Sequence, residues 1–361
     1  MLSHVQAVIV GAGASGVLHA LALRAAGVRI AAVYDPVAER ARAVADACGA
    51  AVATSIASAA GMNAAIVAVC SPPSVHVEHA EVFSAASADR IVLVEKPVAT
   101  TRADLERLHR LPRCVPILQW RAGRALRALR RAIAHGELGP TPVISCDLAW
   151  SRDGAYFDAR RAWGCGAILS VGIHAIDAIG WALGGVFEEV AGLVTSSRSS
   201  FDERHEADRE TSAVAVLRFA GGAMMSLRIT LDGGADTTRI AICGDGKSVV
   251  LEGGEADPTG GTLRWSARTV EQRRRLEALE KDTPGALGSP LLVPYLGGVV
   301  AAIRAGEVPG ETLRLPAVAD TFGAHAAAMA LAAPRPPASV TRAPKSSSAA
   351  QPRAPSRLDA E

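Results

Sequence analysis

Lys96 is the residue of this chain best placed for acid–base chemistry. It is the only lysine before Lys247, and it follows the apolar run Ile91-Val92-Leu93-Val94 inside Glu95-Lys96-Pro97. The run has the length and β-branched content of a strand buried in a parallel sheet. Pro97 cannot donate to a central ladder, so the strand stops there. Lys96 therefore lies just past the carboxyl end of a strand, where open α/β sheets bind ligands. An amine held there, with its proton affinity lowered by burial, gives or takes a proton near neutral pH. Alone, the same residue also reads as a surface lysine at a strand end. A second candidate group lies on an apolar helix expected over residues 167–183. Ser170, His174 and Asp177 are three to four positions apart there and share a face. That column holds a hydroxyl, an imidazole and a carboxylate, although a lone histidine in an apolar helix is more often a satisfied core residue.

The elements ahead of Lys96 alternate strand and helix. Residues 5–10 read as a strand, and Gly11-Ala12-Gly13-Ala14-Ser15-Gly16 follows directly. A helix is expected over residues 13–26, stopped by Gly27, and a second strand over 28–34 ends at Asp35. Gly11 permits the tight turn, Gly13 lets backbone approach a pyrophosphate at the helix N-terminus, and Gly16 lets helix and strand pack closely. Asp35, nineteen positions after Gly16, can accept hydrogen bonds from a ribose diol. This context makes the glycine motif a dinucleotide fingerprint. A carboxylate at position 35 repels a 2′-phosphate and favours NAD over NADP, which stays open, while Arg40 reads as a residue on the solvated face of the next helix rather than as a partner for that phosphate. The alternation continues with a helix over 39–48, strands over 51–54 and 64–69, and Ser71-Pro72-Pro73-Ser74-Val75-His76 leading a helix to residue 86. Beyond Lys96 come a helix over 101–111 and a strand over 115–119. Such alternation predicts a parallel sheet with right-handed crossovers.

After a strand over residues 142–150 and a polar, aromatic stretch over 151–164, Gly164-Cys165-Gly166 opens the histidine helix, close to a ligand or to the first domain. From residue 187 the period turns toward two. Strands are expected over 190–195, 212–219, 223–231, 238–243 and 248–251, with turns at Gly221-Gly222, Asp232-Gly233-Gly234 and Gly244-Asp245-Gly246. Residues 201–210 read as an exposed charged loop whose His205 is no metal ligand. Helices are expected over 291–303 and 317–331. Residues 333–361, rich in Pro, Ser, Ala and Arg, are expected to be disordered. A sheet this broad needs a cover for its outer face, and a homodimer or homotetramer supplies one.

Bulk properties remove other function classes. A net charge of +2 implies no polyanion partner, and 4% aromatic content argues against base-stacking surfaces for nucleic acid. The six cysteines show no Cys-x-x-Cys pair, so no metal or redox site is signalled, and Cys70 and Cys243 read as core residues. No apolar run is long enough to span a membrane, and no secretion signal opens the sequence, which points to a cytoplasmic protein.

The chain resembles the Gfo/Idh/MocA family of NAD(P)-dependent oxidoreductases. The resemblance rests on the glycine motif with Asp35, Ser71-Pro72-Pro73 with His76, Glu95-Lys96-Pro97, and Gly172-Ile173-His174-Ala175-Ile176-Asp177. It covers roughly residues 3–330. It implies an α/β chain with an N-terminal Rossmann domain (1–121), a C-terminal α+β domain with a large, mostly antiparallel sheet (122–332), and a tail (333–361). It also implies hydride transfer at a carbinol or carbonyl carbon of a sugar or polyol, with Lys96 and His174 in the active site. The cofactor would touch residues 11–16, Asp35, Ser71, Pro72, His76, Glu95 and Lys96. His76 would order its loop rather than react. Many family members carry an aspartate where this chain has Ser170, so the proton relay would fall on Lys96 and His174, with Tyr156 as a further donor or a rim contact. Asp177 reads as a support for the helix or imidazole, while Gln119, Arg121, Arg152 and Trp163 are weaker pocket candidates. The rival readings are an NAD-retaining glycosidase, a C=N reductase, and a dinucleotide or sugar sensor without turnover.

Overall fold

The computed structural model describes residues 5–153, 156, 163–196, 210–254, 257–286, 291–306 and 318–332. The expected disordered tail and the loop residues 201–209, with His205, lie outside them. The first domain is built on six parallel strands: β1 (Gln6–Val10), β2 (Arg29–Tyr34), β3 (Ala51–Val52), β4 (Ile66–Val69), β5 (Ile91–Val94) and β6 (Cys114–Pro116). Their order is β3-β2-β1-β4-β5-β6, so the chain reverses direction across the sheet between β1 and β4. That switch point opens a crevice at the carboxyl ends of the strands. The strands are apolar throughout because both faces are covered. Ala7 and Ile9 point to one core with α1 (Ala14–Ala25) and α2 (Ala38–Cys48). Val8 and Val10 point to the other, with α3 (Ile56–Ala60), α4 (His76–Ala86) and α5 (Arg102–His109).

The second sheet has seven strands, β7 (Val143–Ser151), β8 (Phe187–Thr195), β9 (Ser212–Phe219), β10 (Met224–Thr230), β11 (Asp232–Gly244), β12 (Lys247–Gly254) and β13 (Asp257–Ala267). The order is β13-β12-β11-β7-β10-β9-β8, and β7 with β10 is its parallel pair among antiparallel ones. Period-two burial sends Ala213, Ala215, Leu217 and Phe219 inward and Val214 and Val216 outward. The inner face is covered by α6 (Arg124–Ala134), α7 (Ile173–Leu183), α8 (Val270–Lys281) and α10 (Val318–Ala332). In contrast, α9 (Leu292–Arg304) packs against α1. It places Tyr295, Leu296 and Val299 in the first domain's core, and the Tyr295 hydroxyl donates to the Pro116 carbonyl at 2.6 Å.

Several expectations are corrected. The strand expected over 115–119 ends at Pro116, and Gln119–Ala122 forms a 3₁₀ turn. Asp232-Gly233-Gly234 is not a turn but part of β11. The glycines permit a register shift where Gly233 lies against the Ala149–Trp150 backbone. Cys243 is exposed, because the same alternation that buries Ile240 and Ile242 turns it outward. Residues 168–172 are not α-helical. They form a π turn, Ile168–Gly172, ahead of α7. Glu210, expected in an exposed loop, is buried. Its carbonyl and carboxylate accept the Ala167 and Ile168 amides, so it caps the helix start. At Gly166 a side chain would run into Glu210.

The domains are locked by a two-point ion pair between Arg121 and Asp177, both fully buried, with Arg121 Nε 2.8 Å from Asp177 Oδ2. Removing one partner of such a pair costs about 3–5 kcal/mol, because the other charge stays buried, whereas an apolar replacement of both is close to neutral. Asp177→Ala is therefore expected to lower unfolding free energy by about 3–5 kcal/mol. The double variant Arg121→Met with Asp177→Leu should recover most of that loss, as denaturant melts would record; equal loss in both would contradict the pairing.

Candidate functional site

The dinucleotide cradle is formed as its residue types require. Gly11 has φ +92°, and a side chain there would run into the Cys70–Ser71 main chain, 2.7 Å away. A methyl at Gly16 would overlap the Gly11 carbonyl. At Gly13, by contrast, no atom lies within 4 Å of where a Cβ would stand, and no side chain caps the N-terminus of α1. An uncapped, open helix start is the setting in which backbone amides hold a pyrophosphate. Asp35 is anchored over this loop, accepting Ala12 N at 2.7 Å and Val37 N at 2.9 Å. A carboxylate has further lone pairs, so this anchoring leaves it able to accept from a ribose diol. The residues present fit NAD(H).

Lys96 leaves the end of β5 and donates from Nζ to the Ser170 carbonyl at 2.9 Å. This contact joins the first domain to the π turn of the second. A π turn displaces the regular α-helical ladder, a distortion frequent at functional sites. His174, one turn further on, is buried and stacks on Trp120, with ring centroids 5.4 Å apart and planes 9° from parallel. Around this centre Ser170 Oγ, Gln119 Oε1 and Trp120 Nε1 are buried with no hydrogen-bond partner among the described residues. Trp120 was not among the sequence candidates. Its ring fixes the plane of the imidazole.

The loops that carry Lys96 are tied together from several sides. His76, fully buried, bridges them, with Nε2 2.6 Å from the Ser71 carbonyl and Nδ1 3.1 Å from the Pro97 carbonyl. Burial lowers its proton affinity, and the neutral ring donates to one of the two carbonyls. That agrees with an ordering role. The Ser71 hydroxyl meets His79 Nδ1 at 2.9 Å. His325 of α10, also fully buried, approaches the Val98 amide at 3.4 Å. Glu95, an expected cofactor contact, turns inward. Its Oε2 accepts the Lys96 amide at 3.0 Å and its Oε1 meets His19 Nε2 at 2.8 Å.

The weaker pocket candidates diverge. Arg121 is engaged by Asp177, so its charge supports the fold and is not presented to a ligand. Arg152 pairs with Asp236 at 2.9 Å and lies over the rings of Trp150 and Tyr156. Tyr156 and Trp163 pack on the rim of the second domain's core. Ser170 meets Lys96 through its carbonyl, and Gln119 lies on the turn just ahead of Trp120, the ring that stacks on His174. Among the described residues no group of three His, Cys, Asp or Glu could hold a metal ion, and no helix is long and apolar enough to cross a membrane.

Comparison with known proteins bears on this geometry. Residues 5–113 match the model of an oxidoreductase family with an NAD-binding Rossmann fold, and residues 126–250 match the Gfo/Idh/MocA C-terminal domain. No curated protein sequence matches the chain. Among solved structures it is similar to the WlbA dehydrogenase from Bordetella pertussis, in complex with NADH and UDP-GlcNAcA. The two are 21% identical over 92% of this chain and 95% of that one, with a TM-score of 0.75. It is also similar to the UDP-N-acetylglucosamine 3-dehydrogenase GnnA from Acidithiobacillus ferrooxidans (19% identity, 92% and 97% covered, TM-score 0.70) and to a levoglucosan dehydrogenase in complex with NADH and levoglucosan (17%, 91% and 96%, 0.72). At these identities the likeness establishes the fold. The two family matches span most of the chain and meet at the Lys96–Ser170 contact, and with the glycine cradle they make the protein a member of the Gfo/Idh/MocA family of oxidoreductases, with NAD(H) as its cofactor.

Proposed function

We propose that this protein is an NAD(H)-dependent dehydrogenase or reductase acting at a carbinol or carbonyl carbon of a sugar, a polyol or a sugar nucleotide. The observation that carries the reading is the Lys96–Ser170 contact, which brings the lysine at the carboxyl end of β5, in the sheet that carries the dinucleotide cradle, to the turn that leads into His174. Three solved structures of similar fold carry names or ligands of this chemical class.

In the proposed mechanism the cofactor supplies the hydride chemistry when bound, at nicotinamide C4. Lys96 hydrogen-bonds the reacting oxygen and stabilises the charge that develops on it. The Ser170 carbonyl aims the ammonium, and its chain neighbours Pro97 and Val98 are fixed by His76 and His325. His174, its ring plane set by Trp120, takes or gives the proton. Ser170 holds a buried hydroxyl where a carboxylate would add charge, and it does not serve as a base.

The outer face of the second sheet exposes Val143, Leu193, Val214, Val216 and Met224. On neighbouring strands Val214 lies opposite Leu193 and Val143 opposite Met224, with Arg218 and Arg228 across β9 and β10 between the two apolar pairs. A two-fold homodimer that packs this face on itself covers it.

Two outcomes follow. Lys96→Met should lower kcat about 10²–10³-fold while the Kd for NADH, read by nicotinamide fluorescence, changes by less than about threefold. Equal loss of both would contradict the role given to Lys96. Val216→Lys on the outer face should convert the dimer to monomer in sedimentation velocity, and an unchanged mass would exclude this face as the interface.

A further inference from the structure

We infer that His19 is a positioning residue for Lys96: from the dinucleotide helix it pins the Glu95 carboxylate, which carries the Lys96 main-chain amide. The inference deepens the proposed function and rests on that reading of Lys96. His19 lies on the inward side of α1, fully buried, less than one turn beyond Gly16, the last of the cradle glycines. Its Nε2 is 2.8 Å from Glu95 Oε1, and Glu95 Oε2 accepts the Lys96 amide at 3.0 Å. A continuous chain of contacts thus runs from the helix whose N-terminus receives the pyrophosphate to the lysine proposed to hold the substrate oxygen. Glu95 is mostly buried, its side chain 13% exposed.

The charges support the same arrangement. Burial opposes an imidazolium; Cys70 and Glu95 beside the ring raise the proton affinity of His19 above its ordinary value, and with the Cys70 thiol neutral the hydrogen bond and charge of Glu95 carry that rise. Burial likewise opposes the Glu95 carboxylate, but His19 and then Lys96 draw it down to about 2. The Cys70 thiol is pushed up by burial and is neutral at neutral pH, so Glu95 is the counter-charge of His19. The remaining groups facing Glu95 are His76 from α4, neutral through burial, and Tyr295 from α9, whose phenol is pushed up by burial and is also neutral. The Arg121–Asp177 pair behind Tyr295 cancels itself. Lys96 therefore sits beside a carboxylate already neutralised by His19. With His19 uncharged, the full field of Glu95 would fall on Lys96 and favour its ammonium form, while the direction of Lys96 rests on the hydrogen bond that pins Glu95.

The chain has four lysines, so protein labelled with 13C at lysine Cε gives few signals, and Lys96→Met assigns the one of interest. His19→Leu should raise the proton affinity of Lys96 about tenfold, displace its signal, and lower kcat at least about tenfold. The Kd for NADH should stay within about threefold. His19→Gln keeps a donor at similar reach without the charge. It should restore the signal position and most of kcat while the proton affinity of Lys96 stays raised. A Lys96 titration unchanged or lowered in both variants overturns the inference, as does NADH binding that falls in step with kcat, or a His19→Gln enzyme no better than His19→Leu. If His19→Leu does not fold, the titration of His19→Gln alone decides. A wild-type protein without turnover would count against the proposed function and leave the NMR test of His19 intact.

Discussion

One hydrogen bond, from the Lys96 ammonium to the Ser170 carbonyl, defines how the two halves of this molecule meet. A lysine at the end of a Rossmann strand can swing through a wide arc, because its stem has four rotatable bonds. Here its direction is set by a main-chain oxygen from the other domain, and that oxygen is set by a π turn. The turn depends in turn on Glu210, which caps its start, and on Asp177 further along the helix, held by Arg121. Much of the second domain's topology serves to bring residues 168–174 against the carboxyl end of β5 in one register. α9 and α10 continue the same task from the C-terminal side. α9 returns to the first domain, and α10 seats His325 beside Val98.

The site is built at an electrostatic cost that the fold offsets locally. Two ion pairs lie largely out of water, Arg121–Asp177 between the domains and His19–Glu95 under the cradle. Buried pairs of this kind add little net stability, since desolvation consumes most of the attraction. Their value lies in directionality: each admits one arrangement of the elements that carry it. The first aligns α7 with the turn after β6, and the second aligns α1 with the strand that delivers Lys96. Charges in this region come in neutral sets.

Local chemistry was legible in the sequence where spacing and residue type coincide. The glycine cradle, Asp35, Lys96 and the column of Ser170, His174 and Asp177 each stand next to the breaker or strand that places them. The parallel first sheet followed from strand and helix alternation, and its order agrees with the doubly wound rule. What escaped depends on distant partners. Nothing near His19 in sequence announces Glu95, seventy-six positions away, and nothing near Arg121 announces Asp177, so Arg121 read as a pocket residue. The π turn is invisible to a 3.6-residue period. β13 and α8 were missed because a glycine-rich stretch precedes a helix with one well-buried side chain, Leu276, although the capping box of Thr269 and Gln272 marked the helix start.

The central claim is that this site moves a hydride between nicotinamide and a carbon bearing a hydroxyl or carbonyl. The most direct measurement is isotope transfer: the protein is incubated with NADH deuterated at C4 and a panel of keto sugars, keto polyols and oxidised sugar nucleotides, and the products are weighed by mass spectrometry. The account predicts deuterium on the new carbinol carbon of at least one member of the panel. Tight binding of the reduced cofactor with no deuterium in any product would contradict it.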